Sequence, residues 1–414
     1  MKVLLIHNSY QQPGGEDVVF AQECQLLESR GHQVLTYQRS NHEIEQLSAF
    51  HRLAQVKRIT SAEDSKRDVR ALLQAHKPDL VHVHNTFVMI SPSIYEECWE
   101  AQVPVVQTLQ NYRLLCPGAL FFRDGHVCEE CTSHGLFRSV WHGCYRDSRT
   151  STAAVALMLK THRERRTWSD LVSGYVVSTE FARKKFIDGG LPAGKMYVKP
   201  NFVEPDPGER SGGGDYALFA GRLSPEKGVL TLLEGWNQLA SPVPLMIVGD
   251  GPLRSQLEAE VVKKKLGQVT FRGRLNLSDT RDAMKRAAFL ILPSLWYEGF
   301  PMVMAESFAN GTPVLGSRLG AMQEVVADGR TGLHFTPGDP SDLAEKVDWA
   351  WNHPTELAAM GREARLEYKT RYTPDVNYSQ LMAIYQQVLS AAPKTSIRNE
   401  DEDAALAPSW VMQD

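Results

Sequence analysis

Arg222 and Lys227 lie five positions apart in the stretch Phe219-Ala220-Gly221-Arg222-Leu223-Ser224-Pro225-Glu226-Lys227-Gly228. A guanidinium fork and an ammonium point charge together suit the oxygens of a diphosphate. Gly221 lets the backbone approach closely, and the stretch follows an apolar run and opens a helical pattern, so its N–H groups would face the same anion. The plainer reading is two surface cations around a turn. Val248-Gly249-Asp250-Gly251-Pro252 is a second, less specific, glycine-rich strand-to-helix turn. Two carboxylates follow in Tyr297-Glu298-Gly299-Phe300-Pro301-Met302-Val303-Met304-Ala305-Glu306. Pro301 fits a first helical turn, which puts Glu298 in the preceding loop and Glu306 inside the helix. At about 1.5 Å per residue they could hold hydroxyls at opposite ends of an elongated ligand, with backbone amides near Gly299 facing it. A capping Glu298 and a solvated Glu306 would do no chemistry.

Cysteine supplies a separate signal. Four of the six fall in one segment, Cys116, Cys128, Cys131 and Cys144. In a reducing compartment four thiolates can close a tetrahedral zinc site, and a long insertion with little helical period, about residues 112–147, needs a staple. Four unrelated thiols is the competing reading. Cys24 and Cys98 read as core thiols.

The elements that must position these residues alternate. Val3-Leu4-Leu5-Ile6 suits a strand buried on both faces; Phe20, Cys24 and Leu27 keep a helical period closed by Gly31; Gln33–Tyr37 is the next strand. Strands follow at Asp79–His84 and Pro104–Thr108, separated by a helix near Ile94–Ala101. After Pro200-Asn201 and Ser211-Gly212-Gly213-Gly214 the alternation restarts, at Tyr216–Ala220, Leu245–Val248, Val269–Phe271, Phe289–Leu292 and Pro313–Gly316. The pattern predicts an α/β chain of two doubly wound Rossmann-like domains facing a cleft, with ligands beyond the carboxyl ends of the strands.

The order G-R-L-x-x-E-K-G, V-G-D-G-P, E-G-F-P-x-x-x-x-E and then Gly311-Thr312-Pro313-Val314 resembles the family 4 glycosyltransferases of the GT-B fold, most densely from Tyr216 to Ala350. The resemblance implies retaining transfer of a sugar from a nucleotide-sugar co-substrate without a catalytic metal. It assigns Arg222 and Lys227 to the diphosphate and leaving phosphate, Glu298 to the donor sugar with the amides of Gly299 and Phe300 and with Pro301 beside them, and Glu306 to the ribose. Gly221, Gly249 and Gly251 then lie along the donor, and Arg274-Leu275 near the base. In the amino half, His7–Glu16 resembles the family's glycine-rich loop, with Gly14 and Gly15 reaching the donor phosphates. Asp79–Asn85 and Thr108–Arg113 resemble its acceptor-side strand ends, carrying His84, Gln110 and Asn111. Gln110 stands where relatives commonly have His; an amide hydrogen-bonds a hydroxyl but accepts no proton.

The implied division is residues 1–200 as the acceptor-side domain, 201–371 as the nucleotide-sugar domain, 372–392 as a helix returning to the first, and 393–414 as a disordered acidic tail. Composition excludes other classes. The 414 residues carry 45 Lys+Arg against 49 Asp+Glu, so no basic field calls for nucleic acid. The 18 uncharged residues between Asp375 and Lys394 include Asn377, Gln380, Gln386 and Gln387, too polar for a spanning helix. The expected setting is cytoplasmic. Lys160, His162, Arg163, Arg165 and Arg166, with Arg183, Lys184 and Lys185, would suit contact with the inner face of a membrane and a lipid-linked or glycan acceptor. Two other readings stay open, a non-catalytic nucleotide-sugar or glycan-binding scaffold and a nucleotide-sugar epimerase.

Overall fold

Strand β1 (Lys2–Ser9) shows how the first half is built. Val3, Leu4, Leu5 and Ile6 are fully buried because β1 has a parallel neighbour on each side. Val3 and Leu4 pair with Val34 and Leu35 of β2 (Gln33–Ser40), and with Leu80 and Val81 of β3 (Leu80–Asn85). The sheet continues through β4 (Val105–Thr108), past a separate antiparallel hairpin of β5 (Phe122–Arg123) and β6 (His126–Val127), to β7 (Gly174–Val177) and β8 (Met196–Val198). Its order is β2-β1-β3-β4-β7-β8. The computed structural model describes residues 1–11, 14–44, 57–210 and 212–391. The expected tail, 393–414, and Ser211 of the glycine-rich boundary lie outside them.

The second half repeats the design with β9 (Tyr216–Ala220), β10 (Leu245–Val248), β11 (Val269–Gly273), β12 (Ala287–Leu292), β13 (Val314–Ser317) and β14 (Gly332–Phe335), in the order β11-β10-β9-β12-β13-β14. Both six-stranded sheets are parallel and helix-covered, which makes the chain α/β with two Rossmann-like units. In each sheet the order reverses beside the first strand, so the loops after β1 and β9 open at a crevice.

Helix Pro374–Ala391 follows the second unit and packs on the first: Leu381, Ile384 and Val388 join Val3, Leu5 and Leu80 in one core. Tyr385 Oη lies 2.7 Å from His82 Nδ1, and Asn377 donates 2.6 Å to the Pro200 carbonyl. β7, β8 and β14 escape sequence reading because each is only three or four residues long, with a glycine opening two of them.

Candidate active site

Lys227 and Glu298 meet. The lysine sits at the end of a single 3₁₀ turn, Pro225–Lys227, after β9, and Glu298 lies in the loop between β12 and helix Met302–Ala309. Lys227 Nζ donates 2.6 Å to Glu298 Oε1, which also accepts from Ser294 Oγ at 2.7 Å. Glu298 is buried, and Lys227 and Ser294 are its hydrogen-bond partners there. Glu298 is therefore no helix cap; the N-cap position belongs to Pro301. Arg222 is exposed at the same strand end and has no ion-pair partner among the described residues. The two cations differ: one is held by a carboxylate, the other free to meet an incoming anion.

Glu306 stands one turn into its helix, and burial pushes its carboxyl above the usual range, against a weaker pull from Arg281. Gly249 adopts φ +135°, and a Cβ there would lie 1.9 Å from the Gly221 carbonyl oxygen; Gly251 presses on Leu223 in the same way. These glycines pack the loop after β10 against the loop after β9, which fixes where Arg222 and Lys227 emerge. Arg274 is exposed; Leu275 is partly buried against the core that holds Val248, Met284 and Met304. Phe300 sends its ring into the core, leaving only its backbone to face the cleft.

The first unit supplies the opposite wall. Gly14 is the N-cap of helix Gly15–Ser29, its N–H bonded to Asp17 at 2.8 Å, and a Cβ on Gly15 would come 3.9 Å from Met302 of the second unit. Asn111 donates to Glu16 at 2.7 Å and to Tyr10 at 3.2 Å. Burial raises the Glu16 carboxyl despite these bonds. Gln110 shares hydrogen bonds with Asn201 at 3.4 Å, and its carbonyl meets Gly299, where a Cβ would be 2.7 Å away. A cavity of about 40 Å³ lies behind, bounded by His84, Phe87, Gln110, Asn111, Arg113 and Trp168.

His84 is deeper than a strand-end residue need be. Its Nε2 is 3.4 Å from Glu23, which is 3.3 Å from the buried Lys199. Burial holds His84 well below an ordinary imidazole and His82 at about 4. Glu23, His82 and His84 are, among the described residues, the set of three whose donor atoms all lie within 4.8 Å; the cysteines form no such set. Cys116, Cys128, Cys131 and Cys144 are free thiols near one another, Cys131 turned toward Ser139, with burial raising Cys131 and Cys144 to about 11. Sequence reasoning missed Ser294, Lys199, Glu23 and Tyr297. Each acquires its meaning only from a partner brought by the fold, Tyr297 included, although it stands at the head of a linear motif.

Residues 204–388 match the family described as Glycosyl transferases group 1. An uncharacterized glycosyltransferase of Methanocaldococcus jannaschii is 30% identical over 42% of this chain and 49% of its own length. A D-rhamnosyltransferase of Pseudomonas aeruginosa is 30% identical over 38% and 42%, and a glycogen synthase of Mycobacterium tuberculosis 32% over 43% and 42%. The chain thus spans about half or less of the length of these curated relatives. Over 94% of the chain the fold is similar to Anabaena HepE in complex with UDP and glucose (all of that chain, 18% identity, TM-score 0.67). It is also similar to a Thermosynechococcus elongatus sucrose-phosphate synthase (99% of that chain, 17% identity, TM-score 0.71). Residues 204–388 are a Glycosyl transferases group 1 domain, set in a two-unit chain whose fold is of the GT-B type.

Proposed function

We propose that the chain is a hexosyltransferase that moves a sugar from a nucleotide-sugar to an acceptor hydroxyl in glycoconjugate or polysaccharide synthesis. The carrying observation is Arg222 exposed at the strand end that also carries Lys227, itself paired with Glu298, where the first unit brings Gly15 to Met302 and the Gln110 carbonyl to Gly299. A diphosphate would take the free guanidinium fork and share Lys227 with Glu298, and both cations would stabilise the charge that develops on the leaving phosphate. Glu306, half-buried and with no ion pair among the described residues, suits a ribose diol. Retention of anomeric configuration fits a front-face displacement, since Glu298 is engaged by Lys227 and Gln110 cannot take a proton. The acceptor proton then passes to the leaving phosphate, and no metal is assigned a role.

A thermal-shift and calorimetric titration with UDP and UDP-glucose tests the donor site. Binding by the wild type that Arg222→Ala weakens at least tenfold supports it; equal affinity in the variant overturns it. Product analysis without acceptor separates the epimerase reading, which requires an altered sugar still joined to nucleotide.

Two finer readings concern the first unit. Trp141 and Phe137 stand exposed on helix Phe137–His142, and Leu157 on helix Arg149–Glu164, among Arg138, Arg149 and Lys160. Aromatic rings ringed by cations suit an anionic bilayer carrying a lipid-linked acceptor. Co-sedimentation with phosphatidylglycerol vesicles, lost in Trp141→Ser, would support it; no binding removes it. The four clustered thiols suit a structural zinc by their chemistry. About one zinc per chain by elemental analysis, lost in Cys128→Ser, is expected; zinc-free protein of full stability ends that reading.

A further inference from the structure

Three consecutive residues of the donor loop are held alternately by the two units. Tyr297 reaches into the first unit, Glu298 is bonded by Lys227 and Ser294 of the second, and Gly299 rests on the Gln110 carbonyl of the first. The Tyr297 hydroxyl donates 2.8 Å to Glu129 Oε1, and Lys185 Nζ donates 2.5 Å to the same oxygen. The Tyr297 ring enters a socket of Tyr112, Phe121 and Phe181, at centroid distances of 6.5, 6.3 and 4.8 Å, with the Lys185 ammonium 5.1 Å from its centre. On its other side Gly320 leaves room: a Cβ there would lie 3.2 Å from Tyr297 Cδ1. Nearby, the Glu324 carboxylate of the second unit accepts from the Glu180 and Phe181 amides at 2.9 and 2.7 Å, capping the helix that carries Lys185.

We propose that Tyr297 and Glu129 form a latch across the cleft, and that both are positioning residues which set the Glu298 loop only when the two units are together. The inference rests on the reading of Lys227 and Glu298 as the donor site. A phenol bonded to a carboxylate that also carries an ammonium is a charge-assisted contact, stronger than a neutral one. Because Tyr297 and Glu298 are adjacent, breaking that contact frees one end of a loop whose other end is fixed at Pro301. The chain alternates sides at successive residues, so it cannot keep all three anchors while the units separate. Glu129 lies between Cys128 and Cys131, so the cysteine-rich segment presents this carboxylate to the other unit.

The test uses the full chain and two variants that remove the bond while roughly keeping size, Tyr297→Phe and Glu129→Leu. Hydrogen exchange of the Glu298–Phe300 amides is read without ligand, and UDP affinity by calorimetry. Faster exchange in both variants with the melting temperature unchanged is expected, together with a loss of roughly three- to tenfold in UDP affinity, within the net range of one ordinary hydrogen bond. The double variant should do no more than the Glu129 change alone, because the bond made by the Tyr297 hydroxyl ends on that carboxylate. Unaltered exchange in both variants overturns the latch whatever UDP does. Failure of UDP to bind the wild type, or tight binding that ignores Arg222→Ala, counts instead against the donor-site reading, and the exchange measurement still decides the latch.

Discussion

Lys227 carries two duties that one substitution exposes. Lys227→Ala strands the buried Glu298 with Ser294 as its remaining partner and, on the donor-site reading proposed above, also removes a phosphate contact. It should cost several kcal/mol of transition-state stabilisation and, separately, about 1–3 kcal/mol of folding stability. Arg222→Ala should cost activity alone, since its side chain supports nothing in the fold. Steady-state kinetics beside urea unfolding checks the contrast, and Lys227→Ala combined with Glu298→Gln should regain stability but not turnover. His82 gives a pH signature. Burial depresses it to about 4, against about 6.5 in an unfolded chain, so acidification protonates the unfolded form first. Stability from this site is complete above the upper value and drains away as pH falls toward the lower one. Unfolding free energies between about pH 7 and 4.5 should fall through this window and flatten in His82→Gln.

Elements decided how much of this was readable. Strands β9 and β10 and the turns after them were legible because buried parallel strands are continuous apolar runs and their glycine turns are local. Arg222, Lys227, Glu298 and Glu306 came with them, as fixed offsets from strand ends. Tyr297 looked like one more residue of its motif, because Glu129 lies 168 positions away and no period links them. The Glu23–Lys199 pair and the depth of His84 were hidden for the same reason: both depend on a helix and two strands converging. Gly249→Ala tests an element-level claim, since the added methyl would collide with the Gly221 carbonyl at a left-handed φ. A loss of more than about 2 kcal/mol in unfolding free energy is expected, with the donor turn displaced. Tyr385→Ala should cost about 3–5 kcal/mol by emptying the space beside His82 and orphaning its Nδ1; Tyr385→Phe should cost about 1 kcal/mol.

At the scale of the molecule, the last helix does more than end the chain. The first unit is completed by residues from Pro374 to Ala391, and His82 meets Tyr385 across 303 positions. During synthesis the ribosome therefore emits the first sheet long before its final packing partner exists. The second sheet, from Tyr216 to Phe335, is whole while the first still lacks one wall. Vectorial synthesis reverses the order of assembly: the unit made first is finished last, and until then Val3, Leu5 and Leu80 lack their cover. Nascent chains stalled before Pro374 should bind a chaperone and be cut within residues 1–200, while chains released from the ribosome with residues 374–391 should be protected.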